Sequence, residues 1–215
     1  MRKTIIKGFV LMTAATLTAN AYAVGPGFYM GAMAGPATNS ASTENAATLS
    51  GTPPTTPVNP KSQQFASRIF MGYKVNQYAG FEFGGTFFST IQFNSKGIQT
   101  CASTDARVRD IEILGKGSYP LPNGFDVFAK GGVAIAYITT SGGLNSGVTE
   151  CGKTQYQNKF VPTATIGASY DLSQNWVTDL SYNSVMVGGK VGKMTYFALG
   201  LSYHFVDVYC GQFLC

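Results

Sequence analysis

The sequence predicts an all-β fold: an eight-stranded antiparallel up-and-down transmembrane β-barrel with short periplasmic turns and long outer loops. Three observations lead there. Apolar residues alternate with small or polar ones in segments of about ten residues, the pattern of barrel strands rather than of helices. Only 12% of the 215 residues are charged, about half the roughly 25% usual in soluble globular chains. The connections between segments alternate short and long, as they do when one barrel end faces the periplasm and the other faces outward.

The N-terminus is expected to be a secretory signal peptide, residues 1–23, that is cleaved off. Arg2, Lys3 and Lys7 form a positive start, GFVLMTAATLTA is a short apolar run, and AYA (21–23) is a small-x-small cleavage site; the run is too short and wrongly flanked for a spanning helix. Removing it takes away three cations and no acids, which lowers the formal net charge from +5 to +2. The basic balance therefore belongs largely to the signal and gives no reason to expect nucleic acid as a partner. No later stretch approaches the roughly 20 apolar residues of a membrane helix.

The barrel is expected over residues 24–205. GPGFYMGAMAGPA reads as the first strand, and NSASTENAATLSGTPPTTPVNPKSQQ, without periodicity and rich in Thr, Ser, Asn and Pro, as a long flexible outer loop over about 36–63. Strand 2 is placed near Phe65–Val75, strand 3 near Ala79–Phe93 and strand 4 near Arg107–Leu121. Strand 5 follows near Phe125–Thr140, strand 6 near Phe160–Leu172, strand 7 near Trp176–Val187 and strand 8 near Met194–Phe205. Short turns VNQYA, PLPNG and DLSQN join strands 2–3, 4–5 and 6–7, and VDVYCGQFLC (206–215) is left as a C-terminal periplasmic tail.

Parity separates two faces. In strand 5 Val127, Ala129, Gly131, Val133, Ile135 and Tyr137 alternate with Asp126, Phe128, Lys130, Gly132, Ala134 and Ala136. A soluble, lipocalin-like barrel would turn the second set to water, for which it is too thinly polar. A membrane barrel turns the first set to lipid and the second into a narrow lumen, which also accounts for the many small residues. Aromatics near strand ends, such as Tyr119, Trp176 and Tyr203, fit interfacial girdles. The same split in the other strands assigns Arg68, Lys116 and Lys130 as lumen cations and Glu82, Asp110, Glu112 and Asp179 as their anions. Counted from the short turns, Glu82, Lys116, Lys130 and Asp179 fall at one depth, with Arg68 and Glu112 in a higher layer. A plug of paired charges is expected over an ion gate, because eight strands leave little interior room.

SRIFMGYKVNQYAGFEFGGTFF, KGSYPLPNGFDVFAKGGVAIAY, ATIGASYDLSQNWVTDLSYNSV and the closing YFALGLSYHF together resemble the OmpA/OmpX-like eight-stranded outer-membrane β-barrel family. The resemblance implies a bacterial outer-membrane location and a structural, adhesive or small-porin role, with no shared catalytic residues. Two departures stand out. Full OmpA proteins carry a peptidoglycan-binding domain after the barrel, which the tail is too short to supply, and family members usually end at the last-strand aromatic, which here is followed by residues 206–215.

Chemistry beyond the barrel is sparse. The single histidine, His204, has no evident Ser/Asp constellation around it, so no catalytic residues are assigned. One His and four scattered Cys give no metal-ligand spacing, and GKGSYPLPNG lacks the ending of a phosphate loop, so neither metal nor cofactor is expected. Asp105, Arg107 and Arg109 read as a solvated rim of the second long loop. Four cysteines in an exported chain point to disulfides. Cys101 and Cys151 lie in outer loops and Cys210 and Cys215 beyond strand 8, roughly 25 Å of apolar band away, so the expected pairs are Cys101–Cys151 and Cys210–Cys215. The expected partners are outer-membrane lipid, the barrel-assembly machinery and a host or surface ligand at the loops, with the protein a monomer and both termini periplasmic. A surface-interaction role is the leading reading, a narrow small-solute pore the second, and a lipid-modifying enzyme the third.

Overall fold

Eight strands pair in chain order and the last returns to the first. In the computed structural model, which describes residues 25–41, 44–46, 56–60, 62–94, 105–141, 154–188 and 191–205, these are β1 (Gly27–Asn39), β2 (Gln63–Lys74), β3 (Ala79–Phe88), β4 (Asp105–Pro120), β5 (Phe125–Ser141), β6 (Gln155–Asp171), β7 (Trp176–Gly188) and β8 (Gly192–His204). All neighbours are antiparallel, and β1 pairs with both β2 and β8, which closes the barrel and leaves no edge. No helix among the described residues is long and apolar enough to cross a membrane. The expected signal peptide, the tail and all four cysteines lie outside the described residues.

Local chemistry sets the short turns. Asn76 Oδ1 accepts the N–H groups of Tyr78 and Ala79, both at 2.8 Å, and Ser173 Oγ accepts that of Trp176 at 3.1 Å. Between β4 and β5, Asn123 (φ 66°) and Gly124 (φ +76°) take left-handed conformations, the region Asn and Gly enter at least cost. These three turns define one end of the barrel, the turn end; the long connections define the loop end.

Strand limits agree with the sequence reading within a few residues except at three places. β6 begins at Gln155, five residues before Phe160, because its first residues QYQNK pair with the end of β5 although they lack apolar alternation. Strand 3 stops at Phe88, and after Ser89 and Thr90 a separate strand, Ile91–Asn94, resumes pairing with the start of β4. The first long connection, expected to lack regular structure, contains short paired strands at Glu44–Ala46 and Thr56–Pro60, and the second of these pairs with Ile91–Asn94.

Side-chain burial follows the predicted parity. Ile69, Phe83, Ile113, Val133, Ile166 and Leu199 are 48–64% exposed on the outer wall, the apolar surface that lipid covers. Aromatic contacts ring the turn end: Phe125 on Tyr170 (4.6 Å between centroids), Trp176 on Tyr203 (5.1 Å) and Phe28 on Tyr73 (4.8 Å). Inward residues fill the interior, charged in the lower half and apolar towards the loop end.

Candidate functional site: the closed lumen

Four side chains from the four consecutive strands β2–β5 form a continuous bonded chain inside the lumen. Lys130 (β5) lies 2.8 and 3.0 Å from the two carboxylate oxygens of Glu82 (β3). Arg68 (β2) donates from Nη2 to Glu82 Oε1 at 2.5 Å and from Nε to Glu112 (β4). Glu82 also accepts the Tyr29 hydroxyl at 3.1 Å, and Glu112 accepts that of Thr163 at 3.4 Å. All four charged residues are no more than 5% exposed. Two cations and two anions thus neutralise one another where a lone buried charge would cost several kcal/mol.

Aromatic faces complete the enclosure. Lys130 Nζ sits 5.0 Å from the Phe128 ring centroid and 5.3 Å from that of Phe70, and Arg68 lies 5.0 Å from Phe70. Gly84 makes room for the guanidinium: a Cβ there would meet Arg68 Nη2 at 3.0 Å.

The other three charges that the sequence assigned to the network, Lys116, Asp179 and Asp110, stand outside this chain. Lys116 faces rings, 4.8 Å from Phe128 and 5.6 Å from Tyr29. Asp179 borders the turn-end chamber against Gly200, and its Oδ1 is buried without a hydrogen bond among the described residues. Asp110 lies two residues above Glu112, where its Oδ1 accepts the Thr86 N–H at 3.2 Å. Glu82 therefore joins the two layers drawn from the sequence, and Lys130 takes Glu82 as its partner where parity alone left Asp179 equally open.

The chamber below the chain is small, about 30 Å³, room for one or two waters at roughly 10–15 Å³ each. Here His204 stacks on Tyr29 with centroids 4.8 Å apart, and its Nε2 lies 3.4 Å from Ser202 Oγ. Both residues are buried, and the Ser202 hydroxyl also donates to Val177 O at 3.4 Å.

Above the chain, apart from Asp110 and a few buried hydroxyls, the lumen is mainly apolar, a feature the sequence reading missed. Met33, Phe88, Val108, Ile138, Val161, Val185, Met194 and Tyr196 are buried there in one cluster. The signal was present in the parity of β4 and β5, since Val108 shares the face of Asp110 and Ile138 that of Lys130. Arg107 and Arg109, read both as the start of strand 4 and as the rim of the loop before it, lie within β4 and are exposed on the outer wall.

The comparisons with known proteins agree with this geometry. The family model of the OmpA-like transmembrane domain matches residues 25–208. Outer membrane protein A of Serratia marcescens is 28% identical over 148 residues, covering 66% of this chain and 40% of that protein, so the chain spans well under half of that relative's length. An uncharacterised protein of Coxiella burnetii is 28% identical over 174 residues, covering 67% of this chain and 70% of its own. Among solved structures, Neisserial surface protein A superposes with a TM-score of 0.55 at 17% identity, covering 83% of this chain and 97% of that one. OprG of Pseudomonas aeruginosa does so with a TM-score of 0.57 at 13% identity, covering 85% and 98%. At these identities the structural likeness shows the fold, and the fold is the closed eight-stranded barrel. With an apolar outer wall, a lumen occupied by inward side chains and a family match over residues 25–208, the chain belongs to the OmpA-like transmembrane domain family of bacterial outer-membrane β-barrels.

Proposed function

We propose that this protein is a non-enzymatic outer-membrane barrel acting as a structural, surface-interaction protein through its long connections. In this reading the short turns and both chain ends lie on the periplasmic side. The observation that supports it is the occupied lumen: the chain Lys130–Glu82–Arg68–Glu112 links β2 to β5 inside the barrel, and a cluster of buried, mainly apolar side chains packs above it. A small-solute pore would have to part both layers. A lipid-modifying role finds no support in the cramped, buried Ser202–His204 pair.

The direct test compares cells displaying the full chain with cells displaying a variant whose segments 47–55 and 143–150 are replaced by short Gly-Ser links. Adherence to host-cell monolayers and to abiotic surfaces should fall in the variant at equal barrel abundance. Equal adherence would remove the surface-interaction role.

A further inference from the structure

On the outer wall at the loop end lies a cleft of about 540 Å³ bordered by Arg107, Arg109, Tyr137, Thr139 and Tyr156. It is built by pairing: Arg107 stands opposite Thr139, which stands opposite Tyr156, and Arg109 stands between Phe87 and Tyr137. Every one of these polar groups can donate a hydrogen bond. Asp110 also borders the cleft, but its carboxylate is turned into the lumen, where it accepts from Thr86. Asp105, two residues before Arg107 on the same face, is the nearest acid along that strand.

The depth of this cleft follows from strand geometry. Tyr119, 65% exposed, marks the girdle at the turn end of β4. From there to Arg109, about ten residues at roughly 3.4 Å rise and a tilt near 40° climb about 26 Å. The apolar band of such barrels is about 25 Å tall. Arg109 therefore stands at the opposite membrane boundary, with Arg107 about 5 Å further out, at headgroup level.

Directly beneath, the wall is recessed. A second, apolar groove of about 660 Å³ runs past Gly85, Phe87 and Ile111 towards Ile69, Met71 and Ala32. Gly85, Phe87 and Ile111 border both cavities, so the cationic cleft adjoins the apolar groove along these residues. Gly85 lacks a side chain where its outward neighbours Phe83 and Phe87 carry rings. Donors at headgroup height above an apolar channel match one chemistry: an anionic headgroup with an acyl chain below it.

We propose that this wall is a specific binding site for a phosphorylated glycolipid of the outer leaflet. Its phosphate would lie between Arg107 and Arg109 and one acyl chain along the groove past Gly85. Arginine suits this role because its planar fork pairs phosphate oxygens two at a time, and the two tyrosine hydroxyls add donors at the membrane boundary. Lys193, the other outward cation at the loop end among the described residues, is on β8 and borders neither cavity.

The site rests on the orientation proposed above, with the long connections outside. The experiment is native mass spectrometry of the full chain, folded in detergent and offered bis-phosphorylated lipid A, its dephosphorylated form, phosphatidylglycerol or inorganic phosphate. Wild type should retain one lipid A, with at least tenfold less of the other three. Arg107→Gln/Arg109→Gln should lose lipid A at least tenfold, Gly85→Leu should lose it with both arginines intact, and Lys193→Gln should retain it. Heat-dependent gel mobility verifies that each variant is folded. Equal retention by the arginine variant, preference for phosphatidylglycerol, or an equal loss in Lys193→Gln overturns the site. An error of orientation shows separately, as antibody access in intact cells to an epitope placed in the turn after Ser173.

Discussion

Lys130 Nζ lies 2.8 Å from Glu82 Oε2, and the two residues come from strands that are not neighbours in the barrel. The pair therefore bridges over β4 inside the lumen instead of joining adjacent strands. Glu82 also holds Arg68, so one carboxylate joins cations from β2 and β5. Lys130→Met should leave Glu82 short of one of its two cations, and removal of one partner of a buried pair costs roughly 3–5 kcal/mol. Urea unfolding midpoints of variant and wild type, both folded in the same micelles, check this; an unchanged midpoint contradicts the bonded chain.

Lipid-facing positions should respond differently. Val133, 57% exposed on β5, faces outward near mid-height, where a lysine costs about 2–4 kcal/mol in a bilayer. Val133→Lys should fold poorly into vesicles, as read by the heat-dependent mobility shift. Insertion as efficient as wild type would mean that the inward and outward faces of β5 are interchanged.

Gly200 supplies a packing test. A Cβ at this position would meet Asp179 Oδ2 at 2.6 Å, so Gly200→Val should displace the Asp179 carboxylate. Overpacking of this kind typically costs 1–3 kcal/mol, roughly. The same substitution in an Asp179→Ala background should cost less, and the difference, measured as a double-mutant cycle in urea, reports the contact. Strict additivity would place Asp179 away from Gly200.

The cysteines give a fourth expectation, on segments outside the described residues. Cys101 and Cys151 belong to long connections at one barrel end, while Cys210 and Cys215 follow β8. Mass mapping of the unreduced, protease-cleaved protein should find a peptide joining the segments around Cys101 and Cys151. A link from Cys101 to Cys210 or Cys215 would contradict the topology itself.

The period of two made the fold readable, because lipid selects outward residues and the crowded lumen selects inward ones along every strand. Lys130 was visible as an inward cation for that reason. Its partner was not, since strand tilt and stagger set which inward residues from distant strands meet, and parity does not contain that information. The apolar upper lumen was overlooked because attention to charge on the inward face passed over Val108 and Ile138. Arg107 and Arg109 were read as the rim of a long loop although strand 4 was placed from Arg107; backbone pairing with Thr139 and Tyr137 puts both within the strand, which begins two residues earlier at Asp105.

The central claim is that the barrel is closed. Conductance of the full wild-type chain in planar lipid bilayers tests it most directly, with folding verified by gel mobility on the same sample. The ion-pair chain and the apolar cluster above it predict a flat baseline without discrete, sustained steps. Regular, long-lived single-channel steps from the folded wild type would contradict closure and make the protein a pore.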